Sequence, residues 1–307
     1  MKQLVTVERI CMIGHIVSMA FGLAGLLIVV PNADVILSSS PAGPAVFEWS
    51  MSLGGVVYIL LGTAAVAIYA YRTLGLWHWL TFMLPSVFLS LGSELLGTST
   101  GFPFGHYAYL SGLGYKIAGL VPFTIPLSWF YLGLSSYLIA RAGLKTGQKS
   151  TWVSEVGAIA LGALLLTCWD FVLDPAMSQT SIRFWLWEQP GGFFGMPYQN
   201  FAGWFGTGVV FTSIAAFLWR NKPTVVLNRS NLGLPLAVYL SNFGYAAILS
   251  VASGFWVPVL LGVLIGIVPT TILWWMAAPV SVEEALAETS ASFKPEVTVE
   301  PVKVGVK

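Results

Sequence analysis

Charged residues are scarce in this chain, where they make up 9% of 307 residues, whereas 56% of the residues are hydrophobic. A soluble domain usually carries about 25% charged residues. So few charges cannot cover a globule, but a lipid bilayer solvates apolar faces directly. The composition therefore predicts a membrane protein. The net charge of +1 argues against nucleic acid as a partner, because binding nucleic acid requires a basic patch.

Cysteine and histidine are also rare. Cys11 and Cys168 both lie in apolar runs and form neither a zinc-type spacing nor a disulfide framework. His15, His78 and His106 show no metal-ligand spacing, so nothing indicates the iron site of an oxygen-using hydroxylase. There is no phosphate-binding loop, dinucleotide glycine motif or nucleophile elbow. We therefore predict no metal centre and no cofactor.

Long apolar runs are the main feature that is present. A membrane-spanning helix needs about 20 mostly apolar residues. The sequence predicts an all-α fold, a polytopic membrane helix bundle with about eight transmembrane helices; seven is the alternative, since only a short turn separates the last two. The predicted spans are 10–30, 51–70, 78–97, 120–140, 153–173, 201–219, 232–250 and 255–276.

The basic residues predict the orientation, because lysine and arginine favour the cytoplasmic side. With the N-terminus inside, twelve of the fourteen lysines and arginines are cytoplasmic and two are outside. Residues 281–307 contain five glutamates, three lysines and two prolines. Such a segment buries too little apolar surface to fold. We predict one transmembrane catalytic domain over 1–280, a disordered cytoplasmic tail, and both termini in the cytoplasm.

Two loops on the outer side, 98–119 and 174–200, are rich in glycine, proline and aromatic residues and poor in charge. Exposed loops are usually more polar. Irregular backbone is tolerated at membrane depth only where protein buries it. We therefore expect two aromatic, re-entrant-like loops that fold back onto the membrane face.

Three carboxylates, Glu94, Asp170 and Asp174, fall near the outer ends of the third and fifth predicted helices. Ionisable groups in spanning helices are costly, so they are usually functional or paired. The spacing of four places the two aspartates on one helical face. The acids are either structural, as helix-end groups, or a reactive cluster. Asp170 and Asp174 could also hold Mg²⁺ on a diphosphate, but a prenyltransferase usually has two such motifs.

Several tryptophans are predicted to lie near these acids. Interfacial anchoring is the usual role of tryptophan in membrane proteins. The alternative is an aromatic lining for a flat polyene and for a transient cation. The cluster comprises Trp129, Trp169, Trp185, Trp187 and Trp204.

Three ordered segments resemble the CruF-type carotenoid biosynthesis proteins. They are ELLGTSTGFPFGHY at 94–107, WDFVLDP at 169–175, and WLW at 185–187 followed by GMPYQNFAGW at 195–204. The similarity extends over roughly residues 50 to 275. It implies a hydratase of xanthophyll biosynthesis, similar to those acting on γ-carotene (myxol-type) or on bisanhydrobacterioruberin, and closer to the former. The implied partners are γ-carotene or a related acyclic-ended carotenoid, water, the bilayer of a cell inner membrane or thylakoid, and other enzymes of the pathway.

The resemblance implies a simple reaction. Protonating C2′ of the acyclic end leaves a tertiary cation at C1′, which water captures. We predict Asp170 or Glu94 as the acid, with the other carboxylate and Asp174 handling water. Two alternatives are a cyclase that captures the same cation internally and a non-enzymatic carotenoid-binding subunit. The predicted substrate-binding residues are Thr98, Thr100, Phe104, His106, Tyr107, Tyr109, Trp129, Trp169, Trp187, Phe194, Asn200 and Trp204.

Overall fold

Helices form nearly all of the regular structure. The computed structural model describes residues 1–38, 41–146, 151–222 and 225–279, and the predicted tail lies outside these residues. The helices are α1 (Lys2–Ala24), α2 (Ala33–Ser38), α3 (Gly43–Leu74), α4 (Leu76–Thr100), α5 (Thr124–Gly143), α6 (Trp152–Ser178), α7 (Tyr198–Trp219), α8 (Gly233–Ala252), α9 (Trp256–Gly262) and α10 (Val268–Met276). A π-helical turn, Gly25–Val29, extends α1, and a second, Val263–Ile267, joins α9 to α10.

Seven of the described helical stretches are long and apolar enough to cross a membrane. Their outer faces expose large apolar side chains such as Ile13, Phe88 and Phe217. A bilayer can cover such faces, which water would not. The predicted all-α polytopic bundle is therefore confirmed, and the chain is a multi-pass integral membrane protein.

The fourth predicted span is present as α5, although it is less apolar than the other seven. Its 20 residues would extend about 30 Å at 1.5 Å per residue, enough to span the hydrocarbon core. Nearly all of them are buried, because α5 packs against α3, α4, α6, α8 and α10. A helix surrounded by protein can carry serines and tyrosines that a lipid-facing helix could not easily hold.

A buried polar network joins α5 to three other helices, α1, α3 and α8. His15 on α1 places Nδ1 at 2.7 Å from the carbonyl oxygen of Tyr58 and Nε2 at 3.0 Å from Nδ2 of Asn242. The hydroxyl of Tyr131 donates to Oδ1 of Asn242 at 3.1 Å. Buried polar groups need such partners. The network therefore sets the position of α1 against α3, α5 and α8.

Two ion pairs lie at one end of the bundle. Arg72 at the end of α3 pairs with Glu8 at 2.9 Å, and Arg141 at the end of α5 pairs with Glu155 at 3.0 Å. The three carboxylates singled out in the sequence lie toward the opposite helix ends. The bundle thus has one end that carries the two ion pairs and one end that carries the acid cluster.

The two aromatic loops pair with each other, which the sequence did not indicate. Strand β1 (Tyr107–Tyr109) in the first loop pairs in antiparallel fashion with β4 (Trp185–Trp187) in the second. Within the first loop, β2 (Lys116–Ile117) pairs with β3 (Val121–Pro122). The loops do fold back onto the bundle, but as a short β-ribbon, here called the β1–β4 ribbon.

The predicted helix ends before both loops were wrong by several residues. Helix α4 continues to Thr100, where Gly101 ends it in the left-handed conformation that glycine adopts readily. Helix α6 continues through Pro175 to Ser178. Asp174 therefore lies inside the helix, a full turn before its end, rather than at the end as one interpretation of the sequence suggested.

A close approach of α5 to α6 generates a test of the packing. A Cβ atom at Gly162 would lie 2.9 Å from the Cα of Tyr137, whereas a Cβ atom at Gly206 on α7 would meet nothing within 4 Å. We expect Gly162→Ala to lower the free energy of unfolding by about 1–3 kcal/mol, because backbone atoms must move apart. Gly206→Ala should be neutral or slightly stabilising. Thermal unfolding in detergent measures both, and equal melting temperatures for the two variants would contradict this packing.

Candidate active site

Glu94 is a buried carboxylate near the end of α4, with 2% of its surface exposed. Its Oε1 accepts a hydrogen bond from Nε1 of Trp129 at 3.0 Å. Its Oε2 accepts from the hydroxyl of Tyr109 at 2.9 Å and from the hydroxyl of Tyr107. Three donors from α5 and the β1–β4 ribbon therefore hold one carboxylate.

Asp174, on α6, is held in the same way and is 2% exposed. Oδ1 accepts from Nε1 of Trp187 and from Oγ of Ser178, both at 2.9 Å. Oδ2 accepts from Nε1 of Trp185 at 3.0 Å. Because an indole nitrogen can only donate, these contacts suit a carboxylate that only accepts.

The β1–β4 ribbon explains why two tyrosines meet one acid and two tryptophans meet the other. Alternate residues of a strand point to the same side. In the observed register Tyr107 is opposite Trp187 and Tyr109 is opposite Trp185. The facing rings lie 5.2 and 6.1 Å apart between centroids. One short ribbon therefore presents four aromatic donors to two carboxylates on different helices.

The two tyrosines of the β1–β4 ribbon remain neutral donors. Burial, followed by the neighbouring Glu94 carboxylate, raises the pKa of Tyr107 and of Tyr109 well above the usual value for a phenol. Both hydroxyls therefore keep their protons throughout the physiological pH range. The two hydroxyls can therefore act as donors to Glu94 throughout that range.

Asp170 differs from the other two acids. It lies one helical turn before Asp174 and is 1% exposed. Its Oδ2 accepts from Nδ2 of Asn200, near the start of α7, at 2.6 Å. Oδ1 forms no hydrogen bond with any residue that the structure describes. Asp170 is thus the acid with an oxygen left available.

All three carboxylates line one cavity of about 480 Å³. The acid-side halves of α1 and α3 form an apolar wall of this cavity. Trp204 also lines it, stacks on Trp129 with centroids 4.1 Å apart, and meets the edge of Trp169 at 5.9 Å. A largely apolar cavity with a few convergent polar groups is typical of a small-molecule site.

Sequence comparison places the chain in a family. The sequence profile of a family described as "Carotenoid biosynthesis protein" matches residues 54–269, more than half of the chain. The chain belongs to this family. It is also 40% identical over 121 residues to a bisanhydrobacterioruberin hydratase of Haloarcula japonica, an alignment that covers 39% of this chain and 39% of that protein. No solved structure matches the chain significantly.

In this member of the carotenoid biosynthesis family, most of the predicted site residues come together. Glu94, Asp170 and Asp174 share the cavity, and Trp129 bonds to Glu94 from behind it. The predicted substrate-binding residues that line the cavity are Phe104, Tyr107, Tyr109, Trp169, Trp187, Asn200 and Trp204.

Besides Trp129, four predicted substrate-binding residues do not line the cavity. The hydroxyls of Thr98 and Thr100 donate to carbonyl oxygens one turn earlier in α4, at 2.8 and 2.7 Å. His106 is exposed beside the loop backbone. Phe194 adopts a positive φ of 48° and packs against Phe255 instead. These four residues therefore belong to the helix and loop structure around the site and do not contact the cavity.

Trp185, predicted to lie near the acids, donates to Asp174. Other residues of the site were missed: Ser178 donates to Asp174, and Met19, Tyr58 and Tyr245 line the cavity from α1, α3 and α8. The two-residue spacing of the tyrosines in YAY and of the tryptophans in WLW is typical of strands, but three residues are too few for this spacing to have predicted the ribbon. No comparable signal marks the lining residues of α1, which resemble any other apolar helix residues.

Removing one ribbon donor tests how the site is held. We expect Tyr109→Phe to lower the free energy of unfolding by about 1.5–3 kcal/mol, the usual range for a hydrogen bond to a charged group. Tyr115→Phe is the matched control, because Tyr115 lies in the same loop and is 77% exposed. Thermal unfolding compares the two variants. A melting temperature for Tyr109→Phe equal to that of the control would show that the hydroxyl of Tyr109 does not stabilise the fold.

Proposed function

We propose that this protein is a carotenoid hydratase, a hydro-lyase that adds water across the terminal C1′–C2′ double bond of an acyclic carotenoid end, with a γ-carotene-like substrate. The observation that carries the proposal is the Asp170 carboxyl, with one oxygen bonded to Asn200 and the other available in an apolar cavity. Membership of a carotenoid biosynthesis family and the name of the Haloarcula japonica relative support it.

Asp170 is the proton donor in this proposal. The Asn200 amide donates to Oδ2, so that oxygen acts as the acceptor and the proton resides on Oδ1. The O–H bond at Oδ1 breaks as the alkene electrons form a C–H bond at C2′. The positive charge then resides on C1′, a tertiary centre. A positioned acid typically contributes a factor of about 10²–10⁴ to the rate.

The aromatic lining stabilises this cation. Trp169 and Trp204 line the cavity, and Trp129 stacks behind Trp204. Each cation–π contact contributes about 0.5–2 kcal/mol, more when water is excluded. A cation that persists longer is more readily captured by water.

Water completes the reaction. The water oxygen bonds to C1′, and a water proton passes to Glu94 or Asp174. Both of these carboxylates accept hydrogen bonds from neighbouring side chains, as a proton acceptor should. Transfer of a proton back to Asp170 restores the starting state. The sum is alkene plus water giving a tertiary alcohol, so no electron donor or acceptor is consumed.

The orientation follows from the charge distribution. We place the end of the bundle that carries the two ion pairs in the cytoplasm together with both termini, because twelve of the fourteen lysines and arginines fall on that side, and the acid cluster at the outer face of a cell inner membrane or thylakoid. Residues 1–280 then form a single catalytic domain. Lying along the bilayer normal, a long polyene presents one end at the depth of the acids.

Amide substitutions test the acid assignment. In a carotenoid-producing host we expect Asp170→Asn and Glu94→Gln each to reduce product at least about a hundredfold, because proton transfer is lost while the side-chain shape is kept. Mass spectrometry of the extracted pigments measures the product. Hydration adds water to the mass, whereas a cyclase product has the substrate mass and a carrier yields unchanged pigment.

Glu188→Gln is the matched control, since Glu188 is exposed directly after β4 and does not line the cavity. It should retain normal product levels. Full turnover in both Asp170→Asn and Glu94→Gln would refute the assigned chemistry.

Isotope labelling tests the reaction class. In D₂O, we expect the alcohol to retain one deuterium at C2′ after its hydroxyl is exchanged back, because the proton comes from an exchangeable carboxyl. In H₂¹⁸O, the hydroxyl should carry the label. A product that takes its oxygen from O₂ and has no deuterium at C2′ would identify an oxidative hydroxylation instead.

A further inference from the structure

The cavity has a second polar region, on helices other than those that carry the acids. Tyr58 on α3 and Tyr245 on α8 both line it, with ring centroids 5.7 Å apart and planes tilted by 37°. Neither hydroxyl forms a hydrogen bond with any residue in the described parts of the chain. Tyr245 is 7% exposed and Tyr58 is half-buried, so what surface they keep faces the cavity that they line.

Other buried tyrosines of the bundle do have hydrogen-bond partners. The hydroxyl of Tyr131 donates to Asn242 at 3.1 Å, that of Tyr239 to the carbonyl oxygen of Leu165 at 2.9 Å, and that of Tyr69 to the carbonyl oxygen of Asn231 at 2.8 Å. A buried tyrosine hydroxyl usually has a partner, and a phenylalanine would fill an apolar wall without needing one. The partner of Tyr58 and Tyr245 must therefore be a molecule in the cavity.

The surroundings indicate a neutral ligand group. Among the described residues, the charged side chains that line the cavity are the three carboxylates, which lie on α4 and α6. A phenol can donate and accept a hydrogen bond, as can a hydroxyl oxygen. There is also room beside the pair, because a Cβ atom at Gly22 would still lie 3.9 Å from the ring of Tyr245.

We propose that Tyr58 and Tyr245 form a subsite for one neutral hydroxyl oxygen inside the polyene cavity. The oxygen belongs either to a hydroxyl group carried by the polyene or to a water molecule. The subsite rests on the proposed function in one respect, that the cavity binds a carotenoid. Beyond the proposed function, the subsite gives the cavity a second place that can bind a polar group, on the wall formed by α3 and α8.

Conservative variants separate the two sources. Tyr58→Phe and Tyr245→Phe remove only the hydroxyls, and Tyr239→Phe is the control, because it removes a buried hydroxyl of α8 outside the cavity. The full chain in lipid nanodiscs is titrated with two acyclic polyenes of equal length, one a hydrocarbon and one with a tertiary hydroxyl at one end. Quenching of tryptophan fluorescence reports the affinity.

If the polyene carries the oxygen, each variant should weaken binding of the alcohol about fivefold, the typical value of one hydrogen bond, and leave binding of the hydrocarbon unchanged. If the oxygen is water, both affinities should stay unchanged while hydration falls at least about fivefold. Deuterium uptake into recovered hydrocarbon in D₂O should then persist, because protonation continues.

Variants that match the Tyr239→Phe control in both affinities and in turnover would overturn the subsite. A wild-type protein that binds both polyenes but forms no alcohol would instead refute the proposed function. The comparison of affinities would still decide in that case whether the subsite holds a polyene hydroxyl, and equal affinities in the variants would reject that occupant.

Discussion

The hydrogen bonds between the β1–β4 ribbon and two buried carboxylates are the interaction on which the candidate site depends. Glu94 and Asp174 belong to different helices, and burying either charge without donors would be costly. Tyr107 and Tyr109 serve one acid, and Trp185 and Trp187 serve the other. A slip of one residue in the ribbon would turn all four side chains to its other face. The register of three residue pairs thus determines the geometry of the whole cluster.

The three acids differ in how many hydrogen bonds they accept, and the proposed acid–base chemistry depends on this difference. Glu94 and Asp174 each accept three hydrogen bonds, whereas Asp170 accepts one from the described residues. Environments that separate neighbouring carboxyl groups into a proton donor and proton acceptors are a recurring arrangement in enzymes. Here the three carboxyl groups differ because the indole and phenol donors contact only two of them. They do not differ in burial, since all three are at most 2% exposed.

Helix number, order and approximate position could be predicted from the sequence, because an apolar run of spanning length is seldom anything but a membrane helix. The convergence of the acids also followed, since two outward helices end on the same side. The β1–β4 ribbon could not be predicted, because strands of three residues are too short for alternation to be convincing. Pairing between strands whose centres are 78 residues apart also leaves no local signal in the sequence. Thr98 and His106 were assigned from motif membership alone, which cannot distinguish a residue that shapes a loop from one that faces a cavity.

The cavity wall formed by α1 and α3 makes no described hydrogen bond to the carboxylates. Apart from Tyr58, its contribution is shape, through small residues such as Gly22 and Gly54. If the protein acts as proposed, substitutions of these small residues should alter which pigments fit while the carboxylates and their hydrogen bonds stay intact. Shape selection and proton transfer would then lie in different parts of the chain, so that related proteins could change their substrate through the first two spans.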